Sequence, residues 1–521
     1  MELNSIREKV SDLTETKKGL VFILGLSAII KVLVLITLSG KAINNDGMLY
    51  ISAAQQFASG HFKEGLALYP MPLYSLFITI VHYLISEWVL AARLISLTFL
   101  VLSIIPLYMI SKDLFENRIA FWGCLAFALA PLPNSWVAYV TRGPVFIFFF
   151  AWAIYFALKA IQTERPGFFV LVAIFSWFSI LLRLEGIIFI PAFFFFLVYL
   201  TIFNLQKRRS SLKGILIWIA FPGIIFGILF TAMGVEGISL NRMDQVVQIL
   251  QNTANLNFLD NYCLIYNHLK QIENSPPFSG AYYSFAETAR NFMPVIYLLG
   301  FIKAFIKAIF PLFIIPLFLG FKNSLTRSHI LVLFIVFSFL ITFYYSLIVR
   351  DFVSTRFLFV PAFLLFPWIG VGMVRILNFV KRSSKQKTLA AVFIIVFILM
   401  PAGKIANSCS KHDNTISIAG RWLGKETKYN NARILTNDMR IPFYAGRNLY
   451  SNQEKDLLQY GNDLHNHEDV EQFATVNRVD LIILKISEKE EEILPTFKHF
   501  KKIKEFSGRK RIAVIYRSKE F

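Results

Sequence analysis

Long apolar runs separated by more polar stretches occupy most of residues 1–404. Most runs hold about twenty residues, the length that an α-helix needs to cross a bilayer. They lack the alternating polar and apolar positions of an outer-membrane barrel. The pattern therefore predicts about eleven transmembrane helices, at residues 20–40, 88–110, 118–133, 144–161, 167–182, 186–205, 215–233, 300–320, 330–349, 357–379 and 389–405.

One apolar stretch does not fit this series. "MPLYSLFITIVHYLI" (71–85) is short for a span and is preceded by prolines. It is better suited to an interfacial or re-entrant helix lying on the outer surface. Residues 41–87 then form one long external loop, and further external loops are expected at 134–143 and 234–293.

The pattern changes near residue 405. Apolar runs shorten, and "ARILTN", "VDLIILKIS" and "RIAVIYR" are typical of strands alternating with helices. Residues 405–521 are predicted to form a small soluble α/β domain. The predicted fold class is an all-α polytopic membrane protein with this domain at its C-terminal end, and an odd number of spans places the domain outside the cytoplasm.

Composition agrees with a membrane protein. Hydrophobic residues make up 56% of the 521 positions and charged residues only 17%, whereas soluble proteins carry about a quarter charged residues. The net charge of +20 could suggest nucleic acid. However, many basic residues lie in short loops such as 206–214 and 380–387, where they set topology and indicate a cytoplasmic N-terminus.

Asp46 is the main candidate for chemistry. It lies in "INNDGMLY", directly after the first apolar run. A carboxylate there can accept a proton from an incoming hydroxyl or bind a metal ion. Gly47 permits backbone conformations that other residues resist. The simpler alternative is that Asp46 only caps a helix beginning near Met48.

Three arginines are candidates for binding phosphate. Arg142, Arg183 and Arg356 lie at predicted ends of apolar runs, and a guanidinium matches the geometry of a phosphate group. Arginines at such positions often only reach toward lipid headgroups. Arg183 in particular could simply pair with Glu185, and Arg350 and Asp351 lie in the same external loop as Arg356.

Several other chemistries have no motif in this sequence. There is no Walker loop, HExxH or CxxC, and the three cysteines are widely separated. "DLHNHED" (463–469) is more typical of a solvated loop than of a metal site. We therefore expect no required cofactor or metal.

Taken in order, the motifs resemble those of the GT-C superfamily of integral-membrane glycosyltransferases. They are most similar to the bacterial branch of protein O-mannosyltransferases and lipid A aminoarabinose transferase. The similarity is carried by "NNDGMLYISAAQQFASGHF", "LYPMPLYSLFITIVHYL", "AARLISLTFLVLSIIPLYMISKDLFENRIA", "YVTRGPVFIFFFAWAIYFALKA", "LLRLEGIIFIP", "STRFLFVPAFLL" and "NDMRIPFYAGR".

The resemblance implies a multi-pass enzyme of a bacterial inner membrane with an active site facing the periplasm. The donor would be a sugar on a polyprenyl phosphate, and the acceptor a hydroxyl of a lipid, glycan or protein. Asp46 matches the family aspartate that acts as base or orients the acceptor, and transfer is usually inverting. Tyr50, Tyr69 and Glu185 are expected to shape the substrate site, with the arginines on the donor phosphate.

This sequence departs from the family pattern at three places. Gly47 stands where relatives often have a second acidic residue, "TRGP" has no acid in the second loop, and Leu68-Tyr69 replaces a glutamate. One carboxylate binds a divalent ion poorly, so a metal-independent mechanism is expected. The alternatives are a polymerase or ligase of lipid-linked glycans, a membrane transporter, and a non-catalytic scaffold.

Overall fold

The protein is mostly helical in the computed structural model. The structure describes residues 17–204, 206–233, 259–274, 280–321, 325–350, 352–380, 384–410, 414–447, 457–459, 467–487, 496–509 and 511–520. The α-helices are Lys17–Thr37, Asn45–Ala58, Phe62–Leu68, Leu73–His82, Trp88–Leu102, Ile104–Leu114, Asn117–Leu129, Pro131–Trp136, Gly143–Thr163, Pro166–Leu182, Phe189–Phe203, Arg208–Met233, Asp260–Asn274, Gly280–Asn291, Met293–Ile309, Ile314–Gly320, Arg327–Arg350, Thr355–Phe363, Phe366–Val380, Ser384–Ser410, Thr415–Lys425, Arg440–Tyr444 and His467–Val476. Short 3-10 helices cover Leu184–Ile188, Pro311–Phe313 and Thr427–Tyr429.

All eleven predicted spans overlap helices, which confirms a polytopic helical protein, but their number is not confirmed. Among the described residues, six helices are long and apolar enough to cross a membrane, or eight if two bent pairs each count as one span. Helices such as Asn117–Leu129 and Pro166–Leu182 are shorter than that criterion. Thirteen helical residues rise only about 20 Å, well below a hydrocarbon core of about 30 Å.

Backbone breaks explain why some long apolar runs form two helices. The predicted span 300–320 is interrupted at Phe310, where φ is +87° and Pro311 follows. Proline cannot donate the helical hydrogen bond, so a continuous helix is disfavoured there. The two bent pairs lie elsewhere: Tyr283–Asn291 and Met293–Ile309 turn by 72°, and Thr355–Phe363 and Phe366–Phe379 turn by 64°.

The chain divides into two compact units. The first comprises Met1–Ile30, Leu97–Asn134 and Arg142–Ala402, and the second comprises Lys31–Ser96, Ser135–Thr141 and Gly403–Phe521.

Three helices of the first unit pack with their backbones close together. A Cβ added to Gly370 would lie 2.3 Å from the carbonyl oxygen of Ile119, and one on Gly320 would lie 2.1 Å from that of Trp368. Glycine has no side chain at these crossings, which is the usual way that helices approach closely in a bilayer. This packing connects Asn117–Leu129, Ile314–Gly320 and Phe366–Val380.

The second unit contains a five-stranded sheet. Its strands are β1 Ile434–Thr436, β2 Leu457–Gln459, β3 Leu481–Ser487, β4 Phe500–Ser507 and β5 Arg511–Ser518, and they lie in the order β2-β1-β3-β5-β4. β1 pairs in parallel with β2 and β3, while β5 pairs antiparallel with β3 and β4. The predicted strands β1, β3 and β5 and the small C-terminal sheet domain are confirmed.

The stretch predicted to lie on the outer surface forms the short helix Leu73–His82. Its ten residues rise about 15 Å, about half of a hydrocarbon core. One face is buried against the helix Asn45–Ala58, where Thr79 Oγ1 donates to the carbonyl of Ala54 at 3.0 Å. Ile80 and Leu84 remain exposed, as an interfacial helix requires.

Candidate functional site

Asp46 lies in the first turn of the helix Asn45–Ala58, and its side chain is exposed. The capping position belongs to Asn44, so the alternative in which Asp46 caps a helix starting near Met48 is wrong. Asn44 does not cap through its side chain; its Oδ1 accepts the Val140 backbone N–H at 3.1 Å. The exposed carboxylate of Asp46 therefore lies at the N-terminus of the helix Asn45–Ala58, and the contact between Asn44 and Val140 holds this end of the helix.

Gly47 has a different role from the one predicted. It is helical, and its φ is not among the positive values of the described residues. Gly47 is needed because a side chain would not fit at this position. A Cβ there would lie 2.8 Å from Val140 Cβ and 3.1 Å from Asn44 Oδ1. Glycine allows the segment Ser135–Thr141 to pack against the turn that carries Asp46.

The C-terminal domain holds the other side of this turn. The Ile43 N–H donates to the Tyr444 hydroxyl at 3.0 Å, and the Ile43 carbonyl accepts from Arg440 at 3.4 Å. Ser417 Oγ donates to the Gly40 carbonyl at 2.7 Å. Burial raises the pKa of Tyr444, so its hydroxyl stays neutral at physiological pH.

Arg440 is itself fixed by a carboxylate. Its guanidinium donates to both oxygens of Asp438, at 2.8 and 2.5 Å, and Lys485 lies 3.2 Å from the same carboxylate. Burial on its own would raise the pKa of Asp438. The Arg440 hydrogen bonds and the two positive charges outweigh it, so the pKa lies below its usual value. The motif "NDMRIPFYAGR" thus supplies the groups that hold Ile43.

Arg93 is a buried arginine that sequence reasoning missed. It is 3% exposed, and it donates to the carbonyls of Ser39 at 2.8 Å, Lys41 at 2.6 Å and Ala138 at 3.2 Å. It therefore ties the turn before Asp46 to the segment Ser135–Thr141. The available signal was a single arginine inside an apolar run, which is rare without a structural or functional reason.

Lys41 lies in the same turn as the Arg93 contacts. Its Nζ is 2.7 Å from the Tyr139 hydroxyl and 3.9 Å from the ring centroid. Burial lowers the pKa of Lys41, and the Arg93 charge acts in the same direction, while the Tyr139 hydrogen bond opposes them. The Lys41 amine is thus held by Tyr139, which lies 98 positions further along the sequence.

The tyrosines predicted to shape the substrate site are in contact. The Tyr50 and Tyr69 rings meet edge to face with centroids 4.8 Å apart, and Tyr74 packs on Tyr50 in the same way at 5.3 Å. All three are buried. Tyr50 belongs to the helix Asn45–Ala58, and the rings of Tyr69 and Tyr74 pack against it. These buried rings therefore fix the position of that helix.

In the first unit, the structure brings together Arg142, Arg183 and Glu185. Arg142 donates to the carbonyl of Leu182 at 2.7 Å. Arg183 binds both oxygens of Glu185, at 3.2 and 2.8 Å. The simpler alternative for Arg183, pairing with Glu185, is therefore realised.

Arg356 belongs to the same neighbourhood. The Arg183 guanidinium lies 5.6 Å from the Phe146 ring and 5.2 Å from that of Phe357, the residue after Arg356. The Arg356 side chain is exposed, and its guanidinium makes no hydrogen bond to a described residue. Of the three arginines, it is the most accessible to an external phosphate.

The predicted site residues thus form two groups. Asp46, Tyr50 and Tyr69 lie in the second unit, and the arginines with Glu185 lie in the first. Convergence of the two groups remains a prediction. Asp351, residues 234–258 and 275–279 of the predicted external loop 234–293, and residues 463–466 lie outside the described residues. Within the described ranges, no three His, Cys, Asp or Glu side chains are grouped as metal ligands would be.

Comparison with known proteins identifies the fold. A family model described as dolichyl-phosphate-mannose-protein mannosyltransferase matches residues 69–230. No curated protein matches the sequence. Solved structures that are similar include the archaeal oligosaccharyltransferase AglB from Archaeoglobus fulgidus, in complex with an inhibitory peptide and a dolichol-phosphate, and ArnT from Cupriavidus metallidurans, bound to undecaprenyl phosphate.

These similarities are distant in sequence but extend over nearly the whole chain. AglB is 12% identical with a TM-score of 0.53, covering 91% of this chain and 70% of its own. ArnT is 14% identical with a TM-score of 0.51, covering 96% of this chain and 98% of its own. The protein therefore has the fold of the GT-C superfamily of membrane glycosyltransferases, as its motifs predicted.

Proposed function

We propose that the protein is a membrane glycosyltransferase that moves a sugar from a polyprenyl-phosphate donor to the hydroxyl of an extracytoplasmic acceptor. The observation that carries this is the GT-C fold, shared with AglB and ArnT, which were solved with dolichol-phosphate and undecaprenyl phosphate. The matched family segment 69–230 includes Tyr69, Arg142, Arg183 and Glu185.

The donor side of the reaction is assigned to the arginine group. Arg356 binds the phosphate directly, because its guanidinium is exposed. Arg142 adds positive charge nearby, and Arg183 is a fixed cation whose charge Glu185 largely balances. As the sugar–phosphate bond breaks, negative charge develops on the leaving phosphate, and prepositioned guanidinium groups stabilise it.

The acceptor side is assigned to Asp46. Its carboxylate takes the proton of the acceptor hydroxyl while that oxygen attacks the anomeric carbon. The polyprenyl phosphate departs from the opposite face with the bonding electron pair, so the configuration inverts. Since a carboxylate base and arginines suffice for these steps, we propose that no metal is required. The site would face the periplasm of a bacterial inner membrane.

A polymerase or ligase of lipid-linked glycans is the second candidate. The similarity to an oligosaccharyltransferase favours it. On this alternative no carboxylate is needed in the first external loop, so the role of Asp46 separates the two proposals. A transporter would show no transfer at all.

The central experiment compares Asp46→Asn with the wild type on a panel of polyprenyl-phosphate sugars. We expect transfer to be lost with little change in melting temperature, because the Asp46 side chain is exposed. Glu64→Gln is the matched control, since Glu64 is an exposed carboxylate in the same loop. Full transfer by Asp46→Asn would refute the catalytic role, and loss of wild-type transfer in EDTA would refute metal independence.

The donor assignment has its own test. Arg356→Gln should raise the donor KM about tenfold, because one charge-assisted hydrogen bond contributes about 1.5 kcal/mol or more. Arg165→Gln is the control, since Arg165 is exposed at the opposite end of the helix that precedes Arg183. Equal effects of the two substitutions would remove Arg356 from the donor site.

A further inference from the structure

A cavity of about 570 Å³ lies within the second unit. The last turn of the helix Asn45–Ala58 forms one wall, with Gln55 and Gln56. Trp88 forms another, and Phe443 and Tyr444 of the C-terminal domain close the third side. Its volume falls in the range of about 300–1,000 Å³ that is typical of small-molecule sites.

Two of the charged groups in the cavity wall already have structural partners. The Glu87 carboxylate accepts the backbone N–H groups of Val89, at 3.2 Å, and Leu90, so it caps the helix that begins at Trp88. The Arg447 guanidinium donates to the carbonyls of Tyr429 and Asn430. Neither group is therefore the obvious partner of a charged ligand.

Apart from Arg421, the groups left for a ligand are neutral. Gln55 and Gln56 are half-buried, and their side-chain amides make no hydrogen bond to any residue in the described part of the chain. The Ser86 hydroxyl also lines the cavity without such a bond. Each amide offers donors and an acceptor, and they stand beside the aromatic rings of Phe443 and Tyr444.

This lining decides between ligand classes. A phosphate site needs several cationic side chains that are not already paired. Of the charged residues that line the cavity, Arg421 alone is not described above as partnered. Its guanidinium is exposed and lies 6.0 Å from the Tyr444 ring. A lipid tail needs an apolar wall. Neutral amides and hydroxyls beside aromatic rings match a polyhydroxylated ligand. We propose that the cavity binds the saccharide part of the acceptor, an assignment that rests on the proposed function.

The position of the cavity also limits the length of the acceptor. Gln56 lies ten residues beyond Asp46 on the same helix. The geometry of an α-helix separates the two by about 15 Å along the axis and by about 80° around it. A single sugar in the cavity cannot reach Asp46. The acceptor is therefore a chain of several sugars, with one end in the cavity and the reacting hydroxyl at the carboxylate.

The experiment measures binding without catalysis. The full-length protein is purified in lauryldimethylamine oxide, which carries no sugar, and titrated with maltotriose, chitotriose and mannotriose by ligand-observed NMR. We expect saturable binding of at least one trisaccharide, weakened about tenfold or more in Gln55→Ala/Gln56→Ala. Ser86→Trp, which fills the cavity from an exposed position, should give the same loss. Gln472→Ala, an exposed glutamine on the helix His467–Val476, is the control.

The outcomes separate this proposal from the proposed function. Absence of binding by all three trisaccharides, or binding that both cavity variants leave unchanged, would overturn the cavity assignment. Asp46→Asn should bind as the wild type does. If that variant also retained transfer, the catalytic role of Asp46 would fall while the saccharide site would stand.

Discussion

Arg183 is held by both charge and aromatic rings. It forms two hydrogen bonds with Glu185 and lies near the rings of Phe146 and Phe357. The two side chains are 8% and 23% exposed, respectively. An ion pair with so little access to water is costly to break by removing one partner, because the other charge is left poorly solvated.

This pair gives a stability prediction at the scale of single residues. We expect Arg183→Leu to lower the free energy of unfolding by about 1–3 kcal/mol, less than for a fully buried pair because Glu185 retains some solvent and Arg142 is nearby. Arg183→Leu/Glu185→Leu should recover most of this loss, since no unpaired charge remains. Thermal unfolding in detergent measures both variants, with Arg165→Leu as the control. A double variant that melts below the single variant would contradict this account.

At the scale of elements, the sequence predicts the helices and strands whose formation depends on the local pattern of apolar residues. Apolar runs of about twenty residues predicted helices, and β-branched runs predicted β1, β3 and β5. The break at Phe310 was not predicted, because it depends on one backbone angle. The short strand β2 and the lysine-rich strand β4 lack a clear alternation of apolar residues and were also missed.

The candidate site was predicted less completely than the fold. Asp46 and the arginines were predicted as candidates because ionisable residues near the ends of membrane helices often have a function, and their roles stay a prediction. Their supports were not found, because they depend on contacts between distant parts of the chain: Ile43 and Tyr444 are 401 positions apart. Arg93 similarly bonds to Ser39, 54 positions before it, and to Ala138, 45 positions after it.

The contact between the helix Arg440–Tyr444 and Ile43, in the predicted external loop 41–87, has a measurable consequence. Tyr444→Phe removes the acceptor of the Ile43 N–H, so we expect the Ile43 amide to exchange with solvent about fivefold faster, as for a loss of about 1 kcal/mol. Hydrogen exchange with mass spectrometry or NMR measures this. Transfer should show a lower kcat with an unchanged donor KM, because Asp46 is displaced and the donor site is not.

Tyr516→Phe is the matched control for this element. Tyr516 is a buried tyrosine of β5 and packs on the face of the sheet opposite to the cluster that includes Tyr444. It should leave both Ile43 exchange and kcat unchanged. If Tyr444→Phe also left Ile43 exchange unchanged, the C-terminal domain would not be what holds this turn.

At the scale of the whole molecule, the proposed chemistry depends on which side of the membrane each segment faces. Among the three cysteines, Cys263 is exposed, Cys409 is partly exposed and Cys124 is buried. Cys263 lies in the predicted external loop 234–293, on the helix Asp260–Asn274. Cys409 follows the last predicted span. Labelling of Cys263 therefore shows which side of the membrane the predicted loop 234–293 faces, and labelling of Cys409 shows this for the start of the C-terminal domain.

The two bent helix pairs determine whether Cys263 and Cys409 face the same side of the membrane. Between Cys263 and Cys409 lie two candidate spans, Arg327–Arg350 and Val392–Cys409, and both bent pairs. If both pairs cross the membrane, or neither does, the number of crossings is even and both cysteines face the same side. If only one pair crosses, the number is odd and they face opposite sides.

We expect an impermeant maleimide added to spheroplasts to label both the Cys263-only and the Cys409-only variant. Arg209→Cys in a cysteine-free background places a reporter in the basic loop 206–214, where Arg209 is exposed, and it should react only after permeabilisation, because basic loops remain in the cytoplasm. Labelling of Cys263 alone would show that one bent pair re-enters. If Arg209→Cys alone were labelled, the basic loop would face outward and Asp46 would face the cytoplasm. That result would exclude an extracytoplasmic acceptor.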